Sequence, residues 1–112
     1  YSLIGYKGKQ VRDNLHSYDL ANCFWEFYKK PKKGEVYNIG GGRFSNCSIL
    51  EALDLVESIA GFKIKREIVK KPRVGDHIWY ISNLNKFKKH YSGWKQKYNT
   101  KKIIEELIEN QI

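Results

Sequence analysis

A chain of 112 residues fits one compact domain, or a piece of one, spanning residues 1–112, because cores usually organise about 100 to 200 residues apiece, and it is short for two independent domains. With 41% hydrophobic and 14% aromatic residues it is too apolar for a disordered segment, and no apolar run approaches the roughly 20 residues needed to cross a bilayer, so a cytoplasmic polypeptide is expected. The net charge of +9 brings a basic nucleic-acid-binding domain into view, but the lysines are dispersed in small groups and no helix-turn-helix, zinc-finger or RNP pattern accompanies them.

The chain contains no Met, and Tyr1 to Tyr6 show neither a helix cap nor a leader pattern, which reads as a processed terminus or a fragment. Lys9 to Leu15 alternate polar and apolar side chains, as a half-buried strand does. A helix follows, with Ser17 as N-cap, Asp19 in the first turn where the helix dipole favours negative charge, and Leu20, Phe24 and Phe27 as the apolar face. Cys23 shares that register and is expected to be a buried structural thiol. With Cys47 it makes two reduced cysteines that suggest neither a zinc site nor a disulfide framework. Pro31 and Gly34 end the helix.

Glu35 to Ile39 are predicted as a short strand running into Gly40-Gly41-Gly42. Ser48 and Glu51 have the spacing of a capping box, Ile49, Ala52, Leu53, Val56 and Ala60 recur on one helical face, and Gly61 supplies the stop. A strand is predicted over Lys63 to Val69, then a loop at Pro72 to Asp76, an extended stretch from His77 to Ile81 and a short helix from Asn83 to Lys89. Gly93-Trp94 break the pattern. The last helix starts near Thr100 and presents Ile103, Ile104, Leu107 and Ile108. The result is an α/β arrangement of about four helices and a few short strands, too strand-poor for a large parallel sheet, whose apolar faces call for a partner layer.

Two motifs are decoys. Gly40, Gly42 and Ser45 match G-x-G-x-x-S, yet the next helix cap, Ser48, comes too late for a pyrophosphate-binding turn, and no strand ending in a ribose-binding acid follows at the usual distance. Tyr-x-x-x-Lys occurs at Tyr28/Lys32, Tyr91/Lys95 and Tyr98/Lys102, but Pro31, Gly93 and the cap at Thr100 interrupt the continuous helix that would let the ammonium depress the phenol pKa.

Four runs in order carry more information: Gln10 through Ala21, Val36 through Gly42, Arg73-Val74-Gly75-Asp76 and Gly93-Trp94-Lys95. Together they resemble the C-terminal, substrate-binding part of the extended short-chain dehydrogenase/reductases, the NAD-dependent epimerase/dehydratase family that acts on nucleotide sugars. The wording of Gly5 to Asn14 and Gly75 to Trp79 is similar to that of CDP-sugar 2-epimerases within the family.

The resemblance implies a small C-terminal domain whose Rossmann core is absent. In the parent enzyme, NAD and the catalytic Ser/Thr, Tyr and Lys would come from a missing N-terminal domain of the same chain. It implies epimerisation through transient oxidation with no net redox change, a homo-oligomeric parent, and a fragment catalytically silent by itself; a 4-epimerase or 4,6-dehydratase is the related alternative. By the same resemblance Arg12 and Arg73 would clamp the substrate's diphosphate, Asn38 would hydrogen-bond near the nucleotide and Asp76 would sit by the ribose. Arginine suits this task, since its guanidinium stays ionised and bonds phosphate in a planar, often bidentate manner. Each residue also has a plain alternative: an Arg12/Asp13 surface pair, a turn at Asn38, a cap before His77 by Asp76. Tyr6 departs from the family's spacing, which leaves core packing as its alternative role, and Trp94 is expected to be structural.

Overall fold

The computed structural model describes residues 1–111. Helix α1 covers Ser17–Lys29, and its N-cap is His16, one residue earlier than expected. The His16 Nδ1 accepts the Tyr18 N–H at 2.9 Å. The ring is placed for this by tertiary partners, since Nε2 meets Glu106 Oε1 at 3.0 Å and the ring stacks on Tyr98 with centroids 3.9 Å apart.

The inward face of α1 is not the predicted one. Asp19 and Cys23, one turn apart, are buried, while Phe24 and Phe27 are exposed, together with Trp25 and Tyr28. The reason is polar. The fully buried Asp19 carboxylate accepts the Lys97 N–H at 2.8 Å and the Tyr98 N–H at 3.0 Å, and the Asp19 carbonyl accepts the Trp94 indole N–H at 3.0 Å. Three hydrogen bonds along one line set the rotation of the helix against the segment that follows Gly93. Cys23 is a buried thiol, as expected, and burial followed by the nearby Asp19 charge pushes its pKa up to about 12.

Two small sheets accompany the helices. Strand β1 (Ser2–Ile4) pairs in parallel with β4 (Glu67–Val69), and β2 (Val11–Asp13) lies between β3 (Asn46–Ser48), antiparallel, and β5 (Trp79–Tyr80), parallel. Strand β3 was not expected, because Asn46-Cys47-Ser48 carries no hydrophobic alternation; its pairing with β2 creates it. Conversely, Glu35 to Ile39 form no strand. A strand needs a ladder partner, and Val36 is 79% exposed with none beside it. The predicted strand at Lys63 to Val69 shrinks to its last three residues, all exposed.

Helix α2 (Ile49–Ala60) starts in the expected capping box, with Glu51 N–H to Ser48 Oγ at 3.1 Å and Ser48 N–H to Glu51 Oε1 at 3.0 Å. It ends at Gly61, whose φ of 78° is the left-handed conformation that glycine adopts without strain. Helix α3 (Asn85–His90) begins two residues later than predicted, because the Asn83 side chain accepts the Asn85 N–H and turns the chain first. Helix α4 (Thr100–Glu109) is capped by Asn99 and buries Ile104, whereas Leu107 is 58% exposed. The main core cluster is Cys23, Leu84, Phe87, Tyr91 and Trp94, with Leu15, Tyr37 and Ile39 at its margin.

The molecule is a slab of 47 × 35 × 18 Å with a radius of gyration of 16.4 Å, against about 13 Å for a globular domain of this length. Its accessible surface of 8320 Å² likewise exceeds the roughly 6,400 Å² of a compact monomer of 13.2 kDa. Much of what a single core would bury is therefore left on a face.

Candidate functional site

Arg12 sits in the central strand of the three-stranded sheet, opposite Cys47 on β3 and Tyr80 on β5. Its guanidinium donates to Asp76 Oδ1 at 2.6 Å and to the carbonyl of Val11 at 2.7 Å. Asp76 closes the turn that begins at Arg73, with its N–H on the Arg73 carbonyl at 3.1 Å and Gly75 at φ 76°. The carbonyl of Asp76 accepts the Tyr6 hydroxyl at 3.0 Å. Gly5 brings the start of the chain against the same loop, where a Cβ would stand 2.6 Å from Pro72 Cβ. Tyr6 thus anchors the loop through its hydroxyl, a role that the departure in spacing left open.

Three of the four expected site residues are therefore brought together. Arg12 and Asp76 are in contact, Arg73 joins them through the turn with its side chain exposed, and Asn38 lies exposed on the extended segment before Gly40. Among the described residues no hydrogen bond or ion pair joins Asn38 to the other three. Arg12 does form an ion pair, with a different carboxylate from the neighbouring one expected. Arg12 pairs with Asp76 and not Asp13, so the Asp76 carboxylate is spent on Arg12 and not on a cap before His77.

Asp13 does something else. Its Oδ2 accepts the N–H groups of Gly42 at 2.9 Å and Ser82 at 3.0 Å, joining the glycine run and the chain after β5 to the end of β2. Burial pushes the carboxyl pKa up, but the bonds from Gly42 and Ser82 outweigh it and leave the group below its ordinary value. The glycines serve this packing, since a Cβ on Gly40 would overlap Asp13 Oδ2 and Ser82 Oγ. With the Gly42 N–H committed to a carboxylate and the run leading into β3, this turn does not fit a dinucleotide pyrophosphate. The three Tyr-x-x-x-Lys pairs likewise fall across helix ends: α1 stops at Lys29, α3 at His90, and α4 starts at Thr100.

The register adds residues that sequence reasoning did not single out. Cys47 and Tyr80 face the same side of the sheet as Arg12, and so does Asn14 two positions on, whose Oδ1 accepts from Cys47 Sγ at 3.4 Å and Thr100 Oγ1 at 3.2 Å. Only the strand pairing could have found them, because β3 and β5 lie more than 30 and 60 residues away in the chain.

The fold as a whole is similar to that of the C-terminal part of extended short-chain dehydrogenase/reductases that epimerise or dehydrate nucleotide sugars. In sequence the chain is similar to CDP-paratose 2-epimerase of Salmonella typhi, 26% identical over 109 residues that make up 95% of this chain and 31% of that enzyme. This agrees with the narrower resemblance read from residues 5–14 and 75–79. Among solved structures, the NAD complex of dTDP-glucose 4,6-dehydratase from Bacillus anthracis matches with a TM-score of 0.78 and 30% identity over 96% of this chain and 33% of that one. UDP-glucose 4-epimerase from Bifidobacterium longum, in complex with NAD+ and UDP, matches with a TM-score of 0.76 and 28% identity over 93% of this chain and 32% of that one. The chain spans about a third of the length of the relatives it matches. No family model matches it. None of the described helices is long and apolar enough to cross a membrane.

Proposed function

We propose that this chain is the substrate-holding wall of an NAD-dependent nucleotide-sugar epimerase of the CDP-sugar 2-epimerase type. Arg12 and Arg73 take the substrate's diphosphate, Asp76 faces the ribose and Asn38 contacts the nucleotide from the neighbouring segment. The observation that supports this most is the register that sets Arg12 in the central strand beside the Arg73–Asp76 turn, so two cations and one carboxylate occupy one edge. Phosphate is a stronger bidentate partner for a guanidinium than a half-exposed carboxylate is, so a diphosphate can draw Arg12 away from Asp76. The extra exposed surface of the slab supports a second domain against it. That domain would supply NAD and the acid/base residues, since the turn at Gly40 to Gly42 is unfit to hold the cofactor. A homo-oligomeric parent in the cytoplasm completes the proposal.

A 2-epimerase, a 4-epimerase and a 4,6-dehydratase are 26%, 28% and 30% identical to this chain, too close in likeness to separate the reactions. A 4-epimerase or dehydratase is therefore the second reading, and the nucleotide base and sugar separate them. The test is calorimetric titration of CDP, CDP-glucose, UDP, dTDP and inorganic phosphate into the chain, with Arg12→Ala and Arg73→Ala alongside. Diphosphate binding lost in both variants is expected, with the preferred base choosing among the reactions. Nucleoside diphosphate binding that is indifferent to both arginines, and that falls with salt like the binding of any polyanion, would return the basic nucleic-acid-binding reading.

A further inference from the structure

A second polar groove lies on the opposite side of β5 from Arg12. Successive strand residues point to opposite faces, so Tyr80 shares the Arg12 face while Trp79, paired with Val11, points away from it. Trp79 is 64% exposed and forms one side of a groove of about 810 Å³ that Arg43, Asn46, Asn83, Asn85 and Lys88 also line. That volume is the size of a small-molecule site.

The polar groups of the groove can be accounted for one by one. Asn46 spends its Nδ2 on the carbonyls of Gly42 and Arg43, which leaves its Oδ1 as an acceptor. Asn83 spends its Oδ1 on the Asn85 N–H, which leaves its Nδ2 as a donor. Arg43 and Lys88 form no ion pair among the described residues, and no Asp or Glu lines the groove. Asp13, the carboxylate behind the floor, is consumed by the N–H groups of Gly42 and Ser82. The groove therefore offers one aromatic face, the Asn46 amide acceptor, the Asn83 amide donor, the Asn85 side-chain amide and two unpaired cations.

We propose that this groove binds a nucleoside monophosphate at a site separate from the Arg12 site. The base stacks on Trp79, its donor–acceptor edge meets Asn46 Oδ1 and Asn83 Nδ2, and the phosphate sits with Arg43 and Lys88. Stacking on an aromatic side chain tolerates any base, and guanidinium and ammonium groups fix the phosphate. A single aromatic face favours a mononucleotide over a strand, which needs successive stacking platforms.

The test uses the full chain carrying Arg12→Ala and Arg73→Ala, so that the first site contributes nothing. Trp25→Phe is added so that Trp79 is the only exposed indole. Nucleoside monophosphates should quench Trp79 fluorescence saturably. By calorimetry, Trp79→Ala, Arg43→Ala and Lys88→Ala should each weaken binding at least tenfold with unchanged circular dichroism. Ribose 5-phosphate binding as tightly as a nucleotide would overturn the proposal, and so would an unaffected Trp79→Ala. Affinity that climbs with oligonucleotide length would overturn it in favour of a strand-binding surface. Absence of nucleotide binding to this background would also overturn the proposal, and it cannot be confused with failure of the first site, because Arg12 and Arg73 are absent throughout.

Discussion

Arg12 and Asp76, 64 residues apart in the chain, meet at 2.6 Å because β2 and β5 lie side by side in parallel. Both side chains keep some solvent contact, at 36% and 22% exposure, so the pair is of the half-exposed kind worth about 0.2–1 kcal/mol. It is weak enough to exchange for a ligand and strong enough to hold Arg12 in place beforehand.

Removing the competitor should therefore free the arginine. Asp76→Ala is expected to tighten binding of inorganic pyrophosphate by up to about fivefold, the equivalent of about 1 kcal/mol, and calorimetry reads this directly. An unchanged affinity would mean that Arg12 is not held by Asp76 in solution.

Asp19 separates two accounts of one residue. As a dipole partner in the first turn it would contribute about 0.3–1 kcal/mol. As the buried acceptor for the N–H groups of Lys97 and Tyr98, its loss leaves two donors unsatisfied. Asp19→Ala is then expected to cost about 2–4 kcal/mol in urea unfolding, with Asp19→Asn costing less because an amide oxygen still accepts one bond. A loss under about 1 kcal/mol would support the dipole account alone.

Acid should loosen the end of α2. The Ile64 N–H, with Arg66 and Lys63, holds the Glu57 carboxyl at about 2, against an ordinary value of 4.5. The folded pKa is the depressed one, so this contribution is fully present above pH 4.5 and is lost as pH falls from there through about 2. Thermal melts across that window should drop less steeply in Glu57→Gln, which is also less stable than the parent at neutral pH. Parallel pH profiles for the two proteins would rule the linkage out.

Phe24 is 64% exposed and Tyr28 74% exposed on the outer face of α1. Replacing either by Ser should change stability by no more than about 0.5 kcal/mol in the isolated chain, where a core phenylalanine would cost about 3–5 kcal/mol. Chemical denaturation measures the difference, and a loss above about 2 kcal/mol would restore Phe24 to the core that its spacing suggests.

Much of this molecule is written in short stretches of sequence. The capping box at Ser48 and Glu51 and the left-handed stop at Gly61 follow from rules that act within a few residues, and the structure keeps both; the structural role of Trp94 is implied by the resemblance, and Cys23 is buried although the apolar face expected with it is not. The order of Arg12, Arg73 and Asp76 is also legible in the motifs. What the tertiary structure alone decided is which groups meet. The face of α1 turns on hydrogen bonds from Lys97 and Tyr98 to Asp19, and β3 exists because β2 lies beside it. Glu35 to Ile39 have strand-forming residues but no partner, so no strand forms. Caps and turns are satisfied by near neighbours, whereas ladders, buried acceptors and ion pairs need a partner that only the folded chain brings within about 3 Å.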